Sequence, residues 1–117
     1  MPQPQSDYFE GEFMELSWRH AYRPELVPLL MSYLGAQDGM SILEVGCGTG
    51  FLSRLLAKNL DDVHIIGLDS DEKLLAMAGE MVARDGVGKK VSLRKGDAYE
   101  LPLADNSFDL VTSQTLL

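Results

Sequence analysis

Short apolar runs alternate with helical stripes along this chain, and that alternation permits few folds. SILEV (41–45) is a continuous apolar segment carrying one acid, the pattern of a strand buried on both faces. FLSRLLAKNL (51–60) follows, with Leu52, Leu55, Leu56 and Leu60 at helical spacing. VHIIGLD (63–69) reads as a second strand. SDEKLLAMAGEMVARDG (70–86) reads as a helix capped by Ser70 or Asp71, with Leu74, Leu75, Ala78, Met81 and Val82 as its stripe and Gly86 at its end. KVSLRKGD (90–97) and SFDLVTS (107–113) supply a third and a fourth strand. Upstream, PELVPLLMSYL (24–34) predicts a helix with Leu26, Leu29, Leu30, Tyr33 and Leu34 on its apolar side. Pro24 suits its first turn and Gly35 its end, while Pro28 delays its start or kinks it. Strands separated by helices imply crossover connections, hence a parallel α/β sheet with helices on both faces.

The length of 117 residues suits one domain with a modest core. We expect that domain over 24–117, after a segment, 1–23, that is partly ordered or helical. The formal net charge of -8 disfavours a partner presenting a phosphate backbone or an anionic membrane surface, so neither nucleic acid nor membrane is expected. Cys47 is the single cysteine, which leaves no internal disulfide and no CxxC spacing. MPQPQSDYFEGEF lacks the apolar centre of a signal peptide, and no apolar run is long enough to span a membrane, so the cytoplasm is the default location. His64 falls in a strand pattern and reads as a packed core histidine. The sequence stops at TSQTLL, directly after the fourth strand. It therefore reads as the N-terminal part of a larger enzyme, with the fourth strand as an open edge prone to self-association.

Between the first strand and its helix lies EVGCGTG (44–50), with glycines at 46, 48 and 50. Glycines at this position let a ligand approach the backbone. A triphosphate loop needs GxxxxGK[ST], and no lysine stands in the required place. A dinucleotide loop needs GxGxxG, whereas here GxGxG is followed by Phe51. Asp69, at the end of the second strand, occupies the position of a ribose-binding acid. These features alone do not separate a nicotinamide cofactor from other ribose-bearing ones.

Three segments taken together go further. ILEVGCGTGFLS (42–53), GLDSD (67–71) and GDAYELPLADNSFDLV (96–111) resemble, in order and spacing, the motifs of class I S-adenosylmethionine-dependent methyltransferases that act on small molecules. The resemblance spans about residues 40–113. It implies a Rossmann-like three-layer sandwich, truncated, with parallel strands in the order 3-2-1-4, and S-adenosyl-L-methionine as cofactor. It also implies a site. Gly46, Gly48 and Gly50 would lie beside the methionine part of the cofactor, with Cys47 among them as a small residue rather than a nucleophile. Glu44 resembles the acid near the cofactor's amino group; the alternative is a structural carboxylate capping backbone N–H groups of the loop. Asp69 would accept from the ribose hydroxyls. Ser70 would line the ribose or cap the helix. Asp97 and the backbone of Ala98 would meet the adenine, and Gln114, with Thr115, the methyl side. Before the first core helix, Arg19 or Arg23 and His20 are surface residues or part of a cover over the cofactor. No side chain stands out as a general base. The reaction implied is methyl transfer to a small-molecule acceptor, with S-adenosyl-L-homocysteine as product. The alternatives are a nicotinamide-dependent oxidoreductase or epimerase, and a non-catalytic interaction domain that keeps the fold.

Overall fold

The computed structural model describes residues 23–97 and 107–113. Four strands, β1 (Ser41–Val45), β2 (His64–Asp69), β3 (Val91–Lys95) and β4 (Leu110–Thr112), form one parallel sheet in the order β3-β2-β1-β4. The register aligns Ile42 with Ile65 and Leu110, and Glu44 with Gly67 and Thr112. Among the described residues, three helices flank the sheet: α1 (Val27–Leu34), α2 (Phe51–Asn59) and α3 (Glu72–Asp85). This is the parallel 3-2-1-4 arrangement that the sequence predicts.

The core forms where the helices cover the strands. Ile42, Leu52, Leu56, Val63, Ile65, Val82 and Val91 are all buried there. On α2 the predicted stripe holds, with Leu52, Leu56 and Leu60 buried and Leu55 packed partly against them. On α3 the fully buried positions are Ala78 and Val82.

α1 is turned differently from the expected stripe. A 3-10 turn at Pro24–Leu26 precedes it, and Pro28 falls in its first turn, where a missing N–H breaks no helical bond. Gly35 closes it in the left-handed conformation, φ 75°, and donates to the carbonyls of Met31 and Ser32. Val27 and Met31 face the core, with Leu30 and Leu34 packed partly against it. Leu26, Leu29 and Tyr33 are exposed instead, Tyr33 by 87%. The helix is apolar almost all round, so periodicity alone does not fix its rotation. His64 also departs from expectation. It is exposed as the first residue of β2, while Ile65 beside it is buried on the opposite face.

Polar contacts fix the helices at their ends. Lys90 donates through Nζ to the carbonyls of Ala57 (3.0 Å) and Leu60 (2.8 Å), closing the C-terminus of α2. Arg54, almost fully buried on α2, reaches Asp85 on α3 at 2.8 Å, and Lys58 joins the same carboxylate oxygen at 3.0 Å. Burial alone would raise the Asp85 carboxyl, but hydrogen bonds from Arg54 and Lys58 outweigh it and hold the group below the usual carboxylate range. β4 is seated by Asp109, which exchanges two 2.8 Å bonds with the backbone of Ser41. Asp71 is the cap of α3: its Oδ1 accepts from the N–H groups of Lys73 (2.9 Å) and Leu74 (3.2 Å). Asp71→Ala is therefore expected to lower stability by about 1 kcal/mol. Urea unfolding followed by circular dichroism would show the loss, with Ser70→Ala unchanged.

Candidate functional site

Because every strand is parallel, the four C-terminal ends share one edge, and the sheet order reverses there between β1 and β4. Open α/β sheets form their ligand crevice at such an edge. Among the described residues, the predicted site residues converge on it from the ends of β1, β2 and β3.

The glycine loop follows Val45. Gly46, Gly48 and Gly50 have φ of 68°, 58° and 78°, all left-handed, where a residue with a Cβ is strained. Three such residues in five explain the GxGxG spacing. Cys47 N–H donates to Leu68 O at 2.9 Å, carrying the β1–β2 ladder one step beyond the strands. Gly50 N–H closes the turn onto Cys47 O at 2.8 Å, and Arg54 N–H donates to Gly50 O to begin α2.

Two carboxylates hold this loop. Asp69, partly exposed at the end of β2, accepts from Gly48 N–H through Oδ2 (2.8 Å) and from Asp71 N–H through Oδ1 (2.9 Å). It thus ties the glycine loop to the turn that opens α3, and each oxygen retains a lone pair for a further donor. Asp71, not Asp69 or Ser70, caps the helix. Glu44 is wholly buried. Its Oε1 accepts from Ser53 Oγ at 2.6 Å and from Ser53 N–H at 3.2 Å, so it reaches the first turn of α2. Its Oε2 is buried and has no hydrogen-bond partner. Through that one oxygen Glu44 thus caps the first turn of α2 rather than the backbone N–H groups of the loop, and its other oxygen is left without a partner.

Burial is the main reason that the Glu44 carboxyl is pushed up to about 7; the bonds from Ser53 pull the other way, and the nearby Asp69 adds to the rise. Burial likewise pushes the Cys47 thiol up, with Glu44 and Asp69 adding to it, which fits an inert packed side chain rather than a nucleophile.

These bonds bear on the choice of ligand. A pyrophosphate or triphosphate needs free loop N–H groups and an uncompensated helix N-terminus. Here Gly48 N–H is held by Asp69, and the first turn of α2 is served by Glu44. The Gly48 and Ser53 N–H groups are therefore already bonded within the protein and not free for a phosphate.

Asp97 lies exposed just past β3, and Ser70 is exposed just past β2. Lys95 and Glu72 pair at 2.7 Å on the same rim, and that hydrogen bond holds the Glu72 carboxyl below its usual range. Arg23 is exposed ahead of the first turn. Ala98, Gln114, Thr115, Arg19 and His20 lie outside the described residues. Ser53 is the site residue that sequence reading passes over. Its signal was present as a buried-strand acid followed nine residues later by a hydroxyl in the first turn of the next helix.

Residues 42–117 match the family described as methyltransferase domain. A sterol 24-C-methyltransferase of Neurospora crassa is 37% identical over 105 residues, covering 89% of this chain and 26% of that protein. A demethylmenaquinone methyltransferase of Lactobacillus johnsonii is 39% identical over 80 residues, covering 68% of this chain and 33% of its own length. The chain thus spans a quarter to a third of these curated relatives. In fold, a crystal structure from Methanococcus maripaludis, described as a putative S-adenosyl-L-methionine-dependent methyltransferase, superposes with a TM-score of 0.82 at 24% identity, over 96% of this chain and 50% of that one.

The buried acid has a measurable cost. Its carboxyl titrates at an ordinary 4.5 in the unfolded chain and at about 7 when folded. The Glu44 contribution to stability is therefore full below pH 4.5, falls as pH rises between the two values, and stays reduced above, by on the order of 3 kcal/mol. Glu44→Gln is expected to resist urea better than the wild type at pH 8, with the advantage vanishing near pH 4.5.

Proposed function

The chain belongs to the class I methyltransferase-domain family, and on that premise we propose that it carries the cofactor-binding half of an enzyme that methylates a small molecule. The observation that carries this reading is the placement of Asp69. Two backbone donors fix its carboxylate at the strand edge, leaving lone pairs to accept from a ribose diol. In the loop beside it, Gly48 N–H is already bonded to that carboxylate and is not free for a phosphate. The residues present fit S-adenosyl-L-methionine: Gly46, Cys47, Gly48 and Gly50 beside the methionine part, Glu44 beneath its amino end, Asp69 and Ser70 at the ribose, and Asp97 at the adenine. When bound, that cofactor supplies a sulfonium methyl with an excellent leaving group already in place. The protein's share is then to position and to exclude water, and a general base matters only for acceptors that must lose a proton.

The relatives named for a sterol and for demethylmenaquinone support a small-molecule acceptor. Their greater length supports an acceptor side built largely by sequence outside these 117 residues, with 24–117 as the cofactor-side unit. No helix among the described residues is long and apolar enough to cross a membrane. The cytoplasm is the location we assign, on a sequence whose one cysteine provides no internal disulfide.

Charge-assisted bonds to the ribose are worth roughly 1.5–3 kcal/mol each. Calorimetric titration with S-adenosyl-L-homocysteine should therefore show Asp69→Ala binding at least about tenfold more weakly than the wild type. NAD should not bind. Equal affinity for both proteins would overturn the site.

β4 carries a further expectation. Among the described residues it pairs with β1 alone, and Val111 on it is 59% exposed. An open apolar edge seeks another strand. Light scattering of this chain should report a dimer at micromolar concentrations; a strictly monomeric mass up to millimolar would overturn it.

A further inference from the structure

Glu44 sits in a setting that penalises its charge. The side chain is wholly buried, Ser53 supplies both of the bonds to Oε1, and Oε2 has no partner. The charged and titratable groups around it do little to compensate. From β2, Asp69 adds a second negative charge nearby. From α2, the Arg54 guanidinium is attractive, but it is directed to Asp85 at 2.8 Å and its effect on Glu44 is the smallest of those acting. In the loop, Cys47 is a neutral thiol. The residues in register on the flanking strands, Gly67 and Thr112, carry no charge. Burial of an unpaired acid in such a place favours its neutral form.

The glycine loop directly follows this acid, and the ligand proposed for it carries a positive ammonium on its amino-acid part. We propose that Glu44 is a proton-linked sensor of that charge: it holds a proton in the free chain and releases it to solvent when a cationic amino-acid group occupies the loop. One O–H bond of the carboxylic acid breaks, the electron pair stays on the carboxylate, and the proton passes to buffer. The proposal rests on the cofactor reading above. Burial that holds the group near 7 leaves it within reach of one added charge at neutral pH. By linkage, a ligand that expels a proton binds more tightly as pH rises.

Calorimetry on the 117-residue chain tests this with S-adenosyl-L-homocysteine in buffers of different ionisation heat, at acidic to neutral pH where the ligand's amino group stays protonated. The wild type should release a proton, and its affinity should rise by up to about tenfold per pH unit below the Glu44 midpoint, then level off. Glu44→Gln should bind with no such release and a flat profile. 5′-Methylthioadenosine, which has the nucleoside but no ammonium, should release none from either protein. A variant-independent readout is carbon-13 NMR of the glutamate carboxyls, in which the Glu44 midpoint should fall on saturation with S-adenosyl-L-homocysteine. Binding without proton release, equal release from Glu44→Gln, equal release with 5′-methylthioadenosine, or an unmoved NMR midpoint would each overturn the proposal. Absence of any binding to the wild type would instead overturn the cofactor reading on which it rests.

Discussion

A loop with three left-handed residues in five joins β1 to α2, and the surrounding polar contacts hold that shape. Such a backbone is open to many conformations in the unfolded chain, so it must be pinned when folded. Asp69 pins its middle through Gly48, Leu68 O pins Cys47, and Glu44 pins the helix that follows through Ser53. The consequence is a preformed site edge. Strand ends, loop and helix start are one bonded unit, so a ligand meets a surface whose ordering has already been met by folding.

That order has an energetic imbalance within it. Arg54 and Asp85 show how this fold treats a buried charge when stability is the aim: the guanidinium is paired with its carboxylate, and Lys58 supports the same oxygen. Glu44, ten residues before Arg54 in the chain, is buried with one carboxylate oxygen unpartnered. Asp85 is thus met by two cations, whereas one oxygen of Glu44 has no partner, and the role proposed for Glu44 draws on that contrast. Sites that depart from local optimisation in this way are where function is concentrated.

Much of the architecture was legible because it follows from pattern. SILEV and HIIGLD declare buried strands, and the leucines of α2 declare one face. The rotation of α1 was not legible, since VPLLMSYL offers an apolar side in nearly every direction and only the tertiary contacts of Val27 and Met31 choose among them. His64 misled because alternation identifies a strand without saying how far the covering helices extend over its first residue. At the site, Asp69 and the glycines were readable from spacing. Their internal bonding was not, because whether Gly48 N–H faces a ligand or a carboxylate depends on how the β2 end is placed beside the loop. Asp71 rather than Ser70 as the cap is likewise a choice between adjacent polar residues that sequence leaves open.

Gly67 bears on which side chains this site admits. It lies in the middle of β2, and a Cβ placed there would stand 3.0 Å from Cys47 Sγ and 3.1 Å from Leu93 Cδ2. The cysteine side chain occupies the volume that the glycine vacates. Positions 47 and 67 thus share one fixed allotment of space, although 19 residues of chain, including a helix, intervene. A side chain at 67 would have to displace Cys47 or Leu93, whereas a larger residue at 47 finds no slack at 67, which is already a glycine.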